Sequence, residues 1–288
     1  MALAIDRTAG AARASPSLFD AAYACLAAAA PDDKLAATFA TAAAFARGDL
    51  VHDAASCAPR PIAAPGRPAR PRMVQPRELP RRGLGSAAGR AAFVHAIAHI
   101  EFNAIDLAWD AVYRFRGMPA AYYADWVRIA ADEARHFALL RGRLEAMGHD
   151  YGDFDAHNGL WEMAEKTAHD CLSRMALVPR VLEARGLDVT PAMIVKLRAA
   201  GDDATAAVLE VILDEEVAHV AAGSRWFRWC CDRAGVDPGP RFRALLVDYA
   251  QGALHAPFNL EARAAAGFGD DELEALRQLA GGDGLRRR

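Results

Sequence analysis

The residues best placed to do chemistry are two glutamate–histidine pairs, Glu133-Ala-Arg-His136 and Glu216-Val-Ala-His219. Positions i and i+3 of an α-helix share one face, so each glutamate and its histidine can ligate one metal ion together. A further glutamate precedes each pair at nearly the same interval. Glu101 lies 32 residues before Glu133, and Glu183 lies 33 before Glu216. The order Glu, Glu-x-x-His therefore occurs twice, as two related helical hairpins would produce. Carboxylate and imidazole ligands suit iron or manganese. The candidate metal ligands are Glu101, Glu133, His136, Glu183, Glu216 and His219.

Five of the six glutamates and histidines stand on apolar stripes. Val94, Ile97, Ala98, Ile105 and Ala108 flank Glu101. Trp126, Ile129, Ala130, Phe137 and Leu140 flank Glu133, and Leu209, Ile212, Leu213 and Val220 flank Glu216. An unpaired charge on a core-facing stripe is costly, and a bound metal removes that cost. A single Glu-x-x-His is common on surface helices. Two on core faces, each preceded by a core-facing glutamate, are hard to obtain by chance. Glu183 fits less well, because its helix is expected to stop at Gly186 unless it distorts there and continues. Glu165 and His169, further up the same helix, are the alternatives. His95 and His99 fall on other faces, as packed core histidines or as partners of the ligands.

The elements that must position these residues are long helices. Alanine, the strongest helix former, is abundant, and hydrophobic residues make up 53% of the 288. Helices are expected over 86–117, 120–148, 158–186 (kinked at Pro179), 191–201 and 202–235, the fourth of these a short insertion after the break at LDVT. Four long helices match an all-α four-helix bundle over residues 86–236. An N-terminal helical hairpin occupies 1–57, its first helix capped at Ser15-Pro16. A Pro/Arg-rich strap follows over 58–85, with seven of the fifteen prolines and seven arginines between 58 and 82. Proline disfavours helix there, so the strap should lie extended across the bundle, its arginines pairing with surface carboxylates. A helical extension fills 237–288, where Pro257-Phe258-Asn259 and Arg263 either cover one end of the bundle or pack against it.

Composition excludes several classes of function. A net charge of −3 argues against a dedicated nucleic-acid binder. No apolar run reaches the ~20 residues of a membrane span, and the N-terminus lacks a secretory pattern. Five cysteines without paired spacing suggest free thiols in a reducing cytoplasm.

At these residues the chain resembles the ferritin-like superfamily of dimetal carboxylate proteins, and within it the DUF455 family. The resemblance covers about residues 58–268. It rests on APGRPARP, HAIAHIEFNAIDLAWDAVYRF, DEARHF, YGDFDAHNGLWE, ALVPRVLEARGLDVTP, DEEVAHV and APFNLEARAAAGF. It implies a helical bundle with a dimetal site at the six residues named above. A looser similarity to the tRNA-hydroxylating diiron enzymes rests on Glu183-Ala184-Arg185 and supports Glu183 as a ligand. There, however, Glu-Ala-Arg-His lies on the fourth bundle helix, whereas here it lies on the second. The expected cofactor is a pair of metal ions, Fe/Fe, Mn or mixed Mn/Fe. The expected partners are O₂ and an organic substrate, and a homodimer is compatible with the chain. The expected activity is that of an O₂-activating oxidase or oxygenase. Iron handling, as ferroxidase or store, and a structural metal site are the alternatives.

Overall fold

Capping residues and glycines punctuate an all-helical chain. The computed structural model describes residues 16–53, 58–80, 83–250 and 254–282. Two N-terminal helices, α1 (Leu18–Ala27) and α2 (Pro31–Ala46), precede the strap. Ser15, the expected first cap, lies outside the described residues. Ser17 takes that role, its hydroxyl accepting from the N–H groups of Phe19 and Asp20. Then come α3 (Ala87–Arg114), α4 (Ala120–Ala146), α5 (Gly159–Lys166), α6 (Cys171–Leu177), α7 (Ala184–Ala199) and α8 (Asp203–Ala234). Ser86 caps α3, and Gly235 ends α8 in the left-handed region at φ +66°, a conformation glycine adopts without penalty. The C-terminal part holds α9 (Pro238–Tyr249), α10 (Leu260–Ala265) and α11 (Asp270–Gly282). No β-strand occurs among the described residues, and no helix there is long and apolar enough to cross a membrane.

The long helices pack in sequence-adjacent pairs. α3 lies along α4, α6 and α7 lie along α8, and α4 also meets α8. The expected apolar stripes line these contacts: Val94, Ala98, Ile105, Ile129, Ala130, Phe137, Leu209 and Val220 are all buried. The N-terminal helices cover the outer side of α3 and α4. There the Lys34 ammonium, fully buried, donates to Asp106 of α3 at 2.5 Å and to the Cys25 and Leu26 carbonyls. A second buried pair, Arg174 with Asp110, ties α6 to α3.

The third long element departs from the sequence expectation. The helix expected over 158–186 is broken at its start, between α5 and α6. Asp170 begins a new helix there by accepting from the N–H groups of Leu172 and Ser173. The expected stop at Gly186 is absent. Residues Val178–Glu183 form a π-helical turn, and α7 runs on through Gly186 and Pro191. Two distant contacts explain this. The Pro179 ring presses on Gly223 of α8, where an added Cβ would lie 2.5 Å from two ring carbons. Pro191 cannot donate to the Leu187 carbonyl one turn back, and Asn259 donates to it instead at 3.2 Å.

The strap and the C-terminal segment both dock on this body. Gly66 donates to the Leu26 carbonyl, and a Cβ there would lie 2.2 Å from the Ala27 oxygen. Trp161 donates to Ala63, and Val74 to Ala156. Arg72 pairs with the surface Asp155 as expected, whereas Arg67 turns inward to Asn103 and Asn158. The Pro257-Phe258-Asn259 segment packs on α7: Arg185 donates to the Pro257 carbonyl, and Arg263 forms a buried pair with Asp188.

Candidate metal centre

α3, α4 and α8 bring five of the six candidate residues into two overlapping groups. Glu101, Glu133 and His136 form one, and Glu133, Glu216 and His219 the other. Within each group the ligand atoms lie within 4.8 Å of one another, and all five residues are buried. Such a group could hold a metal ion. Glu133 belongs to both and faces each histidine with a different oxygen. Its Oε2 is 3.3 Å from His136 Nδ1, and its Oε1 is 2.9 Å from His219 Nδ1. Glu101 Oε2 is also 3.3 Å from His136 Nδ1, and Glu216 Oε2 is 3.2 Å from His219 Nδ1. Ligands about 2.1 Å from a common ion sit roughly 3 Å apart, so these separations are those of neighbouring ligand atoms.

Glu183 stands at the end of the π-helical turn. It is buried, and its Oε2 has no hydrogen-bond partner. Burial and the nearby Glu216 and Glu133 carboxylates raise its carboxyl well above the usual range, but it belongs to neither of the two groups. Glu165 and His169 are exposed on and after α5, away from these groups. His95 and His99 are buried in another network. His95 Nε2 accepts from the Gly152 N–H, and His99 Nδ1 meets the Tyr151 hydroxyl at 2.8 Å.

The electrostatics are those of a carboxylate cluster short of cations. Burial raises the Glu101 carboxyl, and the Glu133 carboxylate raises it further. Burial likewise raises Glu216. Glu133 goes the opposite way: burial opposes its charge, but the two imidazoles overcome this and hold it well below the usual range. Burial disfavours charge on His136, yet its bonds to Glu101 and Glu133 lift it to about 11. His219 is raised for the same reason, chiefly by Glu133. Two imidazoles therefore partner four buried carboxyl groups. An orphaned carboxylate oxygen and this excess of acceptors are what a bound cation would satisfy.

The family described as "Protein of unknown function (DUF455)" matches residues 27–274, from α1 to α11. The chain belongs to the DUF455 family. An "Uncharacterized protein" of Haemophilus influenzae (strain ATCC 51907 / DSM 11121 / KW20 / Rd) is 44% identical over 219 residues, covering 74% of this chain and 76% of that one. No solved structure matches.

In this DUF455 chain the Glu-x-x-His motifs carry a further acidic residue, which sequence reasoning overlooked. Asp132 immediately precedes Glu133, and Glu215 immediately precedes Glu216. Each receives the outer ring nitrogen of the opposite helix's histidine: His136 Nε2 lies 2.7 Å from Glu215, and His219 Nε2 lies 3.2 Å from Asp132. Both inner Nδ1 atoms consequently point into the cluster. Such outer partners fix the orientation and tautomer of a metal-binding imidazole. Arg135 joins the two buttresses, donating to Asp132 and to both oxygens of Glu215. The available signal was the acid at position −1 of each motif, but its partner lies about 80 residues away on the other helix.

Proposed function

We propose that this protein is a ferritin-like dimetal carboxylate protein that uses two iron ions to activate O₂ for oxidation of an organic substrate. The observation that carries this reading is the placement of the Glu133 carboxylate, one oxygen toward each histidine. Glu133 would be held in common by the two ions. Glu101 and His136 would complete one ion's protein ligands, and Glu216 and His219 the other's. Glu183, with its unpartnered buried oxygen, would join on the Glu216 side. Four carboxylates balance two divalent ions, and oxygen-rich ligands with one imidazole per ion and no thiolate favour iron or manganese. Two ferrous ions supply two electrons to O₂ when bound.

The protein's own part is orientation and shielding. Asp132 and Glu215 aim the imidazoles, while Ile105, Ile129 and Phe137, each one turn from Glu101 or Glu133 on the same helix, are buried apolar side chains that would keep water from the reacting centre. One side is thinly covered. Gly186 follows Glu183 by one turn, and a Cβ there would meet only Glu216 Cγ, at 3.8 Å. Packing does not demand a glycine at this position, and a small molecule would approach the centre beside Glu216.

Stopped-flow spectroscopy of the Fe(II)-loaded protein mixed with O₂ tests the reading. A rapid visible absorbance transient, with about two iron oxidised per chain and no mineral accumulating, is expected. Continued uptake of iron into a mineral would indicate storage instead. A centre inert to O₂ would leave a structural metal.

A further inference from the structure

The strap carries a feature that the metal centre does not use. Residues Arg67 to Met73 curve around a cleft of about 570 Å³, with Tyr151 among its lining residues. Arg67, Arg70 and Arg72 all line it, together with Pro68 and Pro71. Their charges are unevenly compensated. Arg72 is matched by Asp155 at 2.6 Å. Arg70 is exposed and meets no carboxylate among the described residues. Arg67 is half-buried and bonds only to neutral amides, Asn158 at 2.5 Å and Asn103 at 2.7 Å. Its Nε is buried without a partner. The acidic group acting most on it, Asp106, is already engaged by Lys34. Burial pushes the guanidinium below its ordinary range, as expected for a cation that lacks a counter-ion.

The cleft is built before any ligand arrives. Bonds at Ala63, Gly66 and Val74 hold the strap to the helical body on either side of the Arg67–Met73 curve. Gly152, at φ +109°, lets the chain pass within reach of Arg70, whose Cβ would lie 2.8 Å from a Cβ added there. Tyr151 is held in turn by His99 and packs on Phe102 and Phe137. Guanidinium groups on a fixed frame, beside an aromatic ring and proline rings, suit an oxyanion attached to an apolar body.

We propose that this cleft is a binding site for a small organic oxyanion, a phosphate or carboxylate, held by Arg67 and Arg70 with its apolar part against Tyr151. The site is independent of the metal reading, since none of its residues belongs to the carboxylate cluster.

Isothermal titration of the full chain at low salt tests it, with phenyl phosphate and benzoate as anionic probes and benzyl alcohol as the neutral one. Saturable one-to-one binding of at least one anion is expected, with none of the alcohol, and the preferred anion distinguishes phosphate from carboxylate. Arg70→Ser, at an exposed position, should weaken binding about tenfold or more, as loss of a charge-assisted bond implies. Arg67→Lys, which keeps the charge but not the fork, should do likewise. The proposal is overturned if neither anion binds saturably, or if Arg70→Ser binds both as the unaltered protein does. Should Arg67→Lys not fold, Arg70→Ser decides alone.

Discussion

The imidazoles of His136 and His219 are the most constrained groups in the centre, each gripped on both ring nitrogens. The inner nitrogens face Glu101, Glu133 and Glu216, and the outer ones face Glu215 and Asp132. The account therefore assigns separate roles to adjacent acids on one helix turn. Glu215→Gln removes the carboxylate behind His136 but none of the inner ligands. Metal affinity should fall about 10- to 100-fold in a competition assay with a coloured chelator, with far-ultraviolet circular dichroism unchanged. Unaltered affinity would reduce Glu215 to a surface ion pair with Arg135. Gly186 provides a test of the opposite sign. It sits inside α7 with room for a methyl group, and a helix-interior glycine costs about 1 kcal/mol relative to alanine. Gly186→Ala should raise the urea midpoint by a corresponding amount, and a loss of stability would show that backbone freedom matters there.

At the scale of elements, the π-helical turn before α7 decides where Glu183 points. It is held by the fit of Pro179 against Gly223, by the Asn259 bond to the Leu187 carbonyl, and by the Arg263–Asp188 pair. Gly223→Ala would drive a methyl into the proline ring. It should cost about 1–3 kcal/mol in chemical denaturation and lower metal occupancy, although Gly223 touches no carboxylate of the cluster. Full occupancy in that variant would separate the turn from the site. These same contacts show what was readable in the sequence. Glu-x-x-His on an apolar stripe is a local pattern, so α4 and α8 and their four motif residues could be placed from spacing alone, and Glu101 from its stripe. The course of the third element could not. Pro179 and Pro191 read locally as a kink and a break, but their missing bonds and bulky rings are accommodated by Gly223 and Asn259, tens of residues away. The inward turn of Arg67 was hidden likewise, because its acceptors, Asn103 and Asn158, lie on other elements.

At the scale of the molecule, buried ionisable groups set the response to pH. Burial depresses the His95 imidazole to about 4 and His99 to about 3, from the ordinary 6.5. The unfolded chain binds protons at these sites from about pH 6.5 downward, before the native protein does. Their contribution is thus fully present above pH 6.5 and is lost progressively as pH falls through 4 and 3. Asp106 acts in the opposite direction: burial raises it to about 6 from 3.8 despite Lys34, so acidification across that window favours the native state. The raised carboxyls of Glu101, Glu183 and Glu216 act as Asp106 does, so the imidazole share is read by difference. Between pH 6.5 and 4 the urea midpoint of the metal-free protein should fall relative to that of His99→Gln, and parallel pH profiles would contradict these assignments. The central claim, however, is that one molecule holds two ions joined through Glu133. It is tested most directly by counting metal per chain by elemental mass spectrometry, in the unaltered protein and in Glu133→Ala, after growth with iron and manganese. The account predicts close to two Fe or Mn per chain, and loss of both together in the variant. Zinc alone, no metal, or retention of either ion without Glu133 would contradict it.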